Sequence, residues 1–206
     1  MDEVRTIAVI GTGNLGATLA RRWRAAGHRI VIGARDPGAE KVVALVGELG
    51  GDSAAAPVAD AVAAADVVVV ATPGAAVPEL AASLGPALAG TVVIDATNHM
   101  GGDRLHHMDA WSEQAPAALA FRAFNTLGWE NFAEPDHDGG AADLLVCGPE
   151  AGRDTVEGLV HDVGLRPVWI GDADQADVLD GVTRLWFALV FGQGRDRRTA
   201  FRVLDA

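Results

Sequence analysis

Tyrosine is missing from all 206 residues, lysine occurs once (Lys41) and cysteine once (Cys147). Each scarcity removes a chemistry. A tyrosine acid assisted by a lysine, the arrangement of short-chain dehydrogenases, cannot be built. Lys41 falls within the second predicted helix, so a catalytic lysine of the β-hydroxyacid dehydrogenase kind is excluded as well. A single cysteine permits neither an intrachain disulfide nor a multi-cysteine metal site, and zinc alcohol dehydrogenase chemistry needs such ligands. Cys147 ends the apolar run Leu144-Leu145-Val146 and reads as a small core residue rather than a nucleophile. No apolar run approaches the roughly 20 residues that span a bilayer. Met1 to Arg5 lead straight into a strand without a signal-peptide pattern, so a cytoplasmic protein is expected. The net charge of −12 argues against nucleic acid, whose binding needs clustered positive charge.

What is present is a globular composition, 50% apolar and 21% charged, in an alternating strand and helix pattern. Strands are predicted at 5–10, 29–33, 66–71, 91–95 and 118–123, with a weak one at 52–56. Helices fall at 15–27, 38–49, 57–65 and 75–89, and residues 97–116 read as a loop followed by a helix. Continuous β-branched runs such as Val67-Val68-Val69-Val70 mark strands buried on both faces. Strand, helix, strand recurs at 143–147, 151–163 and 166–170, before an apolar final helix at 174–192. The expected fold is α/β: a Rossmann-type doubly wound parallel sheet with a small C-terminal α/β extension ending in an apolar helix. Residues 1–135 would form the nucleotide-binding domain, and 136–206 a substrate-cleft segment. The final helix suits either a homodimer or a monomer capping its own sheet. Residues 134–142 are the best candidate for a mobile loop.

The first strand ends in Gly11-Thr12-Gly13-Asn14-Leu15-Gly16, a G-x-G-x-x-G opening a helix. Gly11 permits the tight turn, Gly13 lets the backbone approach a pyrophosphate, and Gly16 allows close helix–strand packing. The helix N-terminus offers N–H groups and partial positive charge to phosphates. At the end of the second strand, an acidic residue would bind a ribose 2′-OH, whereas an arginine accommodates a 2′-phosphate. There the chain reads Gly33-Ala34-Arg35-Asp36-Pro37. Asp36 is expected to cap the next helix with Pro37 in its first turn. Arg35 beside the small Ala34 then favours NADP over NAD.

No strong acid–base pair stands out, and no catalytic residue is assigned. His99, His106 and His107 are taken as solvated loop histidines, since adjacent residues rarely converge on one ion, and no metal site is expected. His137 and His161 read as surface residues. Direct hydride transfer between two stacked redox cofactors needs no such pair, because the protein supplies orientation and environment.

The glycine motif, Gly33-Ala34-Arg35, Asp95-Ala96-Thr97-Asn98, Ala123-Phe124-Asn125-Thr126 and the stretch from Trp186 to Arg198 together resemble the NADP-dependent coenzyme F420 oxidoreductase family. The resemblance spans nearly the whole chain. It implies a deazaflavin stacked on the nicotinamide in a cleft, with hydride passing between nicotinamide C4 and deazaflavin C5. Thr12, Gly13, Asn14 and Leu15 would hold the pyrophosphate, and Arg35 the 2′-phosphate. Ala71, Thr72 and Pro73 would line the path towards the nicotinamide, which Asn98, Asn125 and Thr126 would face. Strand-end turn chemistry explains several of these positions equally well. Relatives often carry Ser or Thr in place of Ala34, and a proline and an aliphatic residue in place of His99 and Met100. The cluster Arg195, Arg197, Arg198 and Arg202 would suit a charged deazaflavin tail, or simply a solvated helix end. Trp129, Trp186 and Phe187 would wall the cleft or serve as core.

Three functions are therefore in play: an NADP:deazaflavin oxidoreductase, an NADPH-dependent reductase of another small acceptor (flavin, quinone, chelated metal or imine), and a non-catalytic NADP sensor. An intact glycine motif with an elaborated C-terminal segment favours an enzyme.

Overall fold

Short apolar strands alternate with amphipathic helices, and the computed structural model describes residues 3–204. The first half runs β1 (Thr6–Ile10), α1 (Asn14–Ala25), β2 (Arg29–Ala34), α2 (Glu40–Leu49), β3 (Ala54–Pro57), α3 (Val58–Ala63) and β4 (Val67–Val70). Then come α4 (Val77–Leu84), β5 (Val92–Asp95), α5 (Met108–Gln114), β6 (Leu119–Arg122) and α6 (Glu130–Ala133). The chain closes with β7 (Asp143–Val146), α7 (Arg153–Asp162), β8 (Arg166–Trp169) and α8 (Ala176–Phe187).

The strands β3-β2-β1-β4-β5-β6 form one parallel sheet in that order. Strand order reverses between β1 and β4, and ligands of such sheets bind outside the carboxyl ends of the strands at that point. All four valines of β4 are fully buried, as a strand covered on both faces requires. Strands β7 and β8 form a second parallel pair. An antiparallel bridge joins Arg122 to Cys147, the Arg122 N–H donating to the Cys147 carbonyl at 2.8 Å. Helix α7 adds to the same core: buried Trp23 of α1 donates its indole N–H to the Leu159 carbonyl at 2.9 Å. Val156, Leu159 and Val160 share one apolar cluster with Ile7, Val9 and Phe121.

Several boundaries differ from expectation, each for a local reason. The helix predicted at 75–89 is a 3₁₀ turn (Gly74–Ala76), α4, and a second 3₁₀ turn (Gly85–Leu88). Pro86 has no N–H to continue the α-helical ladder. Gly85 packs so closely that a Cβ there would lie 2.0 Å from the Gln114 carbonyl oxygen. Asp36 does not cap α2: its Oδ1 accepts the Gly38 N–H at 3.0 Å in a local turn, and the helix starts at Glu40 after Ala39. Helix α8 widens into a π turn over Ala188–Gly192. The four-residue helix α6 is too short to leave a periodic signal.

The segment 134–142, expected to be mobile, is fastened by the C-terminal tail. Arg198 donates to the Glu134 carbonyl at 3.0 Å and also to that of Asp136, and Arg202 donates to the Gly139 carbonyl. Asp143 anchors the tail: its carboxylate accepts two bonds from Arg166 (2.6 and 3.0 Å) and the Val203 N–H at 2.6 Å. Burial pushes this carboxyl up, but the Arg166 guanidinium and the Val203 N–H more than offset that and hold it below the usual carboxylate range.

Candidate active site

The glycines of the first turn occupy three different environments. Gly11 has φ +117°, and a Cβ there would meet the Ala71 carbonyl oxygen at 2.5 Å. A Cβ on Gly16 would lie 2.2 Å from the Gly11 carbonyl oxygen, so the turn and α1 are packed backbone to backbone. Gly13 is the opposite case, exposed and with nothing within 4 Å of a built Cβ. Helix α1 begins immediately after it, with no side-chain cap and no acidic residue in its first turn. Its leading N–H groups are therefore available to an anion.

These residues open onto a cleft of about 710 Å³ at the carboxyl ends of β1, β2 and β4, a volume within the range of cofactor sites. Among the sequence candidates, Gly11, Thr12, Gly13, Ala34, Arg35, Ala71, Thr72 and Pro73 all line it. Asn14, Leu15 and Gly16 belong to the start of α1, where Leu15 turns towards the core. Arg35 is exposed at the cleft and Lys41 lines it too. From the sequence, Lys41 is placed only within the second helix. A cation in the first turn of α2, directly after the β2 turn, was the signal available. The Thr72 hydroxyl is buried without a hydrogen-bond partner, a cost that a bound polar ligand would remove. Free N–H groups, an approachable glycine, two cations and an orphaned hydroxyl fit a dinucleotide phosphate chain and a 2′-phosphate.

Asn98, Asn125 and Thr126 do not line that cleft but follow the carboxyl ends of β5 and β6. The chain leaves β6 through Phe124 at φ +61°, the one non-glycine residue with positive φ among those described. Its ring, edge-on to Trp23 and Phe132 at 5.5 and 5.6 Å, holds that conformation and directs Asn125 and Thr126. Both are buried. Asn98 donates its side-chain N–H to the Asn125 carbonyl at 2.9 Å, and Asn125 donates to Thr183 Oγ1 of α8 at 3.2 Å. Asn125 Oδ1 is left buried and unpartnered.

Beneath these residues lies a network that was not anticipated. Arg122, fully buried, donates to the Thr97 carbonyl (2.9 Å), to Asn98 Oδ1 (3.0 Å) and to Asp180 Oδ1 of α8 (2.9 Å). Asp95 lies 3.8 Å from the guanidinium and accepts from the Thr97 N–H and the Trp111 indole. Polar residues ending apolar stretches (Asp95 after Val92-Val93-Ile94, Arg122 after Leu119-Ala120-Phe121) were the available hint. Their pairing is not local in sequence.

The histidines near Asn98 are not simply solvated. His106 is buried; its Nδ1 accepts the Met108 N–H, leaving Nε2 to donate to Asp177 at 3.1 Å. Ligand atoms of His106, Asp177 and Asp180 lie within 4.8 Å of one another, and each residue already has protein partners. His99 Nδ1 and His107 Nε2 are 2.9 Å apart. Of the C-terminal arginines, Arg197 pairs with Glu130 and lies over the Trp186 and Phe191 rings. Arg198 and Arg202 hold the 134–142 segment, and Arg195 is exposed. Cys147 is fully buried, and burial pushes its thiol up to about 12. It is no nucleophile.

Residues 6–99 match the family described as "NADP oxidoreductase coenzyme F420-dependent". The F420-dependent NADP reductase of Methanothermobacter thermautotrophicus is 31% identical to the chain over 226 aligned residues, covering 98% of the chain and 96% of the relative. The chain belongs to the F420-dependent NADP oxidoreductase family. A solved structure from Arthrobacter sp. FB24, provisionally described as an F420-dependent NADP reductase, superposes with a TM-score of 0.82. At 24% identity, covering 98% of this chain and all of that one, it shares the fold. The rat metalloreductase STEAP3 is 26% identical over 87% of the chain, which corresponds to 36% of the longer relative.

Proposed function

We propose that the chain transfers hydride between NADP(H) and the deazaflavin coenzyme F420. The observation carrying this reading is the cleft in which Gly13 leaves open space beside an uncapped helix start while Arg35 and Lys41 stand at its adenosine end. Membership of a family of F420-dependent NADP oxidoreductases supports the choice of acceptor. Bound NADPH supplies the hydride. In this reading Thr12, Gly13, Asn14 and Leu15 bind the pyrophosphate and Arg35 the 2′-phosphate. Asn98, Asn125 and Thr126 orient the nicotinamide. Ala71, Thr72 and Pro73 line the path between. Residues 1–135 carry the dinucleotide, and 136–206 contribute the wall against which the acceptor stacks. No side chain need move a proton at the reacting carbon, because positioning two redox rings is the main task.

Among the described residues no helix is long and apolar enough to cross a membrane, and we place the reaction in the cytoplasm. Val178 and Leu185 are half exposed on the outward side of α8. We assign that surface to a second copy of the chain; a light-scattering mass of one chain would remove the assignment.

The reading is tested by absorbance with purified protein, NADPH and oxidised deazaflavin. Loss of the oxidised deazaflavin band is expected. Bound NADPH with no bleaching of that band would reject F420 as the acceptor and point to another small oxidant.

A further inference from the structure

The guanidinium of Arg122 touches none of the cleft residues assigned to phosphate, yet it ties Asn98 to the residue before it in the chain and to Asp180 of α8. We propose that Arg122 is a positioning residue for the nicotinamide half of bound NADP(H), holding the ends of β5 and β6 and helix α8 in one register. This inference rests on the hydride-transfer reading above.

A fully buried guanidinium is a poor means of adding stability, since a well-packed apolar side chain often serves as well or better. What it supplies is geometry. Arginine is a planar fork of donors with no acceptor. One arm reaches the Thr97 carbonyl, and the other is shared by Asn98 Oδ1 and Asp180 Oδ1. The far side of the Asn98 amide faces the Asn125 carbonyl, which can only accept. Turning that amide over would set N–H against guanidinium and oxygen against oxygen, so one orientation is enforced. Asp180 is held in turn by the Leu105 N–H at 2.7 Å, and Thr183, one turn along α8, receives Asn125. The chain of bonds ends at Asn125 Oδ1, a buried acceptor without a partner and of the right chemistry for the N–H of a carboxamide. Arg122 therefore acts through Asn98 and Asn125 and makes no contact with substrate.

Calorimetric titration of the full chain with NADPH, and separately with 2′-phospho-ADP-ribose, which lacks the nicotinamide ring, tests this. In Arg122→Lys, NADPH affinity is expected to fall about tenfold, the equivalent of losing one hydrogen bond between the nicotinamide carboxamide and Asn125 Oδ1. Affinity for the truncated ligand should stay within about twofold. Single-turnover hydride transfer at saturating NADPH should fall about 10- to 100-fold, as misplaced reacting rings predict. Asp180→Asn, which keeps the shape and loosens the fork, should give a milder version of the same split and carries the test if the lysine variant fails to fold. Equal weakening of both ligands, or no change in either, would overturn the proposal. A wild-type protein that leaves the deazaflavin oxidised would reject the acceptor, while the two-ligand comparison would still decide the role of Arg122.

Discussion

Arg35 stands exposed at the end of β2 beside Ala34, with Lys41 on the same cleft and no hydroxyl side chain at position 34. Most of the preference for a 2′-phosphate then falls on cations. Replacing Arg35 by Ala should raise the NADPH dissociation constant about tenfold, the lower range for a charge-assisted bond at an exposed site, and barely alter that of NADH. Fluorescence titration of both cofactors reads this directly; an equal change in the two would show that Arg35 does not contact the phosphate. The place of Arg35 at the cleft was legible because the apolar strand before it marks where β2 ends. Arg122 was not, because its meaning depends on Asp95 and Asp180, brought to it by the sheet and by a helix near the other end of the chain. His106 was misjudged for the same reason: next to His107 in sequence it looks like loop, and only Asp177 and the fold bury it.

At the level of elements, the β1–α1 turn makes a sharp prediction, because its glycines fail in different ways. Gly16→Ala would force a Cβ against the Gly11 carbonyl and should cost about 1–3 kcal/mol or more of stability, as overpacking does. Gly13→Ala meets no atom within 4 Å and should leave the denaturation midpoint within the roughly 0.5 kcal/mol typical of surface changes. It should nevertheless weaken NADPH binding by tenfold or more. Denaturant melts and cofactor titration on the same two variants separate the effects; stable, tight-binding Gly13→Ala protein would contradict the assigned pyrophosphate site. The strands and the motif helix were readable because β-branched runs and glycines act locally. Helix ends were less so. The break before β5 depends on Gly85 meeting Gln114 across α5, and Asp36 turned out to serve its own turn instead of the helix ahead.

For the whole molecule, the tail is a working part of the fold. The Asp143 carboxyl, pushed up by burial but held below its ordinary range by Arg166 and the Val203 N–H, is a folded-state group with a depressed pKa. Its contribution is complete above the ordinary carboxylate value and is lost as pH falls through the lowered one. Asp143→Asn should therefore reduce stability at neutral pH and flatten the acid limb of the stability curve, so the two proteins converge at low pH. Urea melts across pH check this; a constant gap between them would mean that the charge is not what ties the tail. Neither this anchor nor the arginine clasps on residues 134–142 can be read locally, since they join segments about 60 residues apart.

The backbone bridge between Arg122 and Cys147, together with the Trp23 indole reaching Leu159, has a further consequence for how such a protein can change over time. Two stretches of chain that share one core are not exchangeable parts. A new acceptor cannot be acquired by grafting a foreign ending onto the nucleotide half, because the graft must also bring partners for the Trp23 N–H and for the Arg122 charge. Diversification is steered instead to exposed positions such as Met100, where a substitution can reshape the neighbourhood of Asn98 without disturbing the joint.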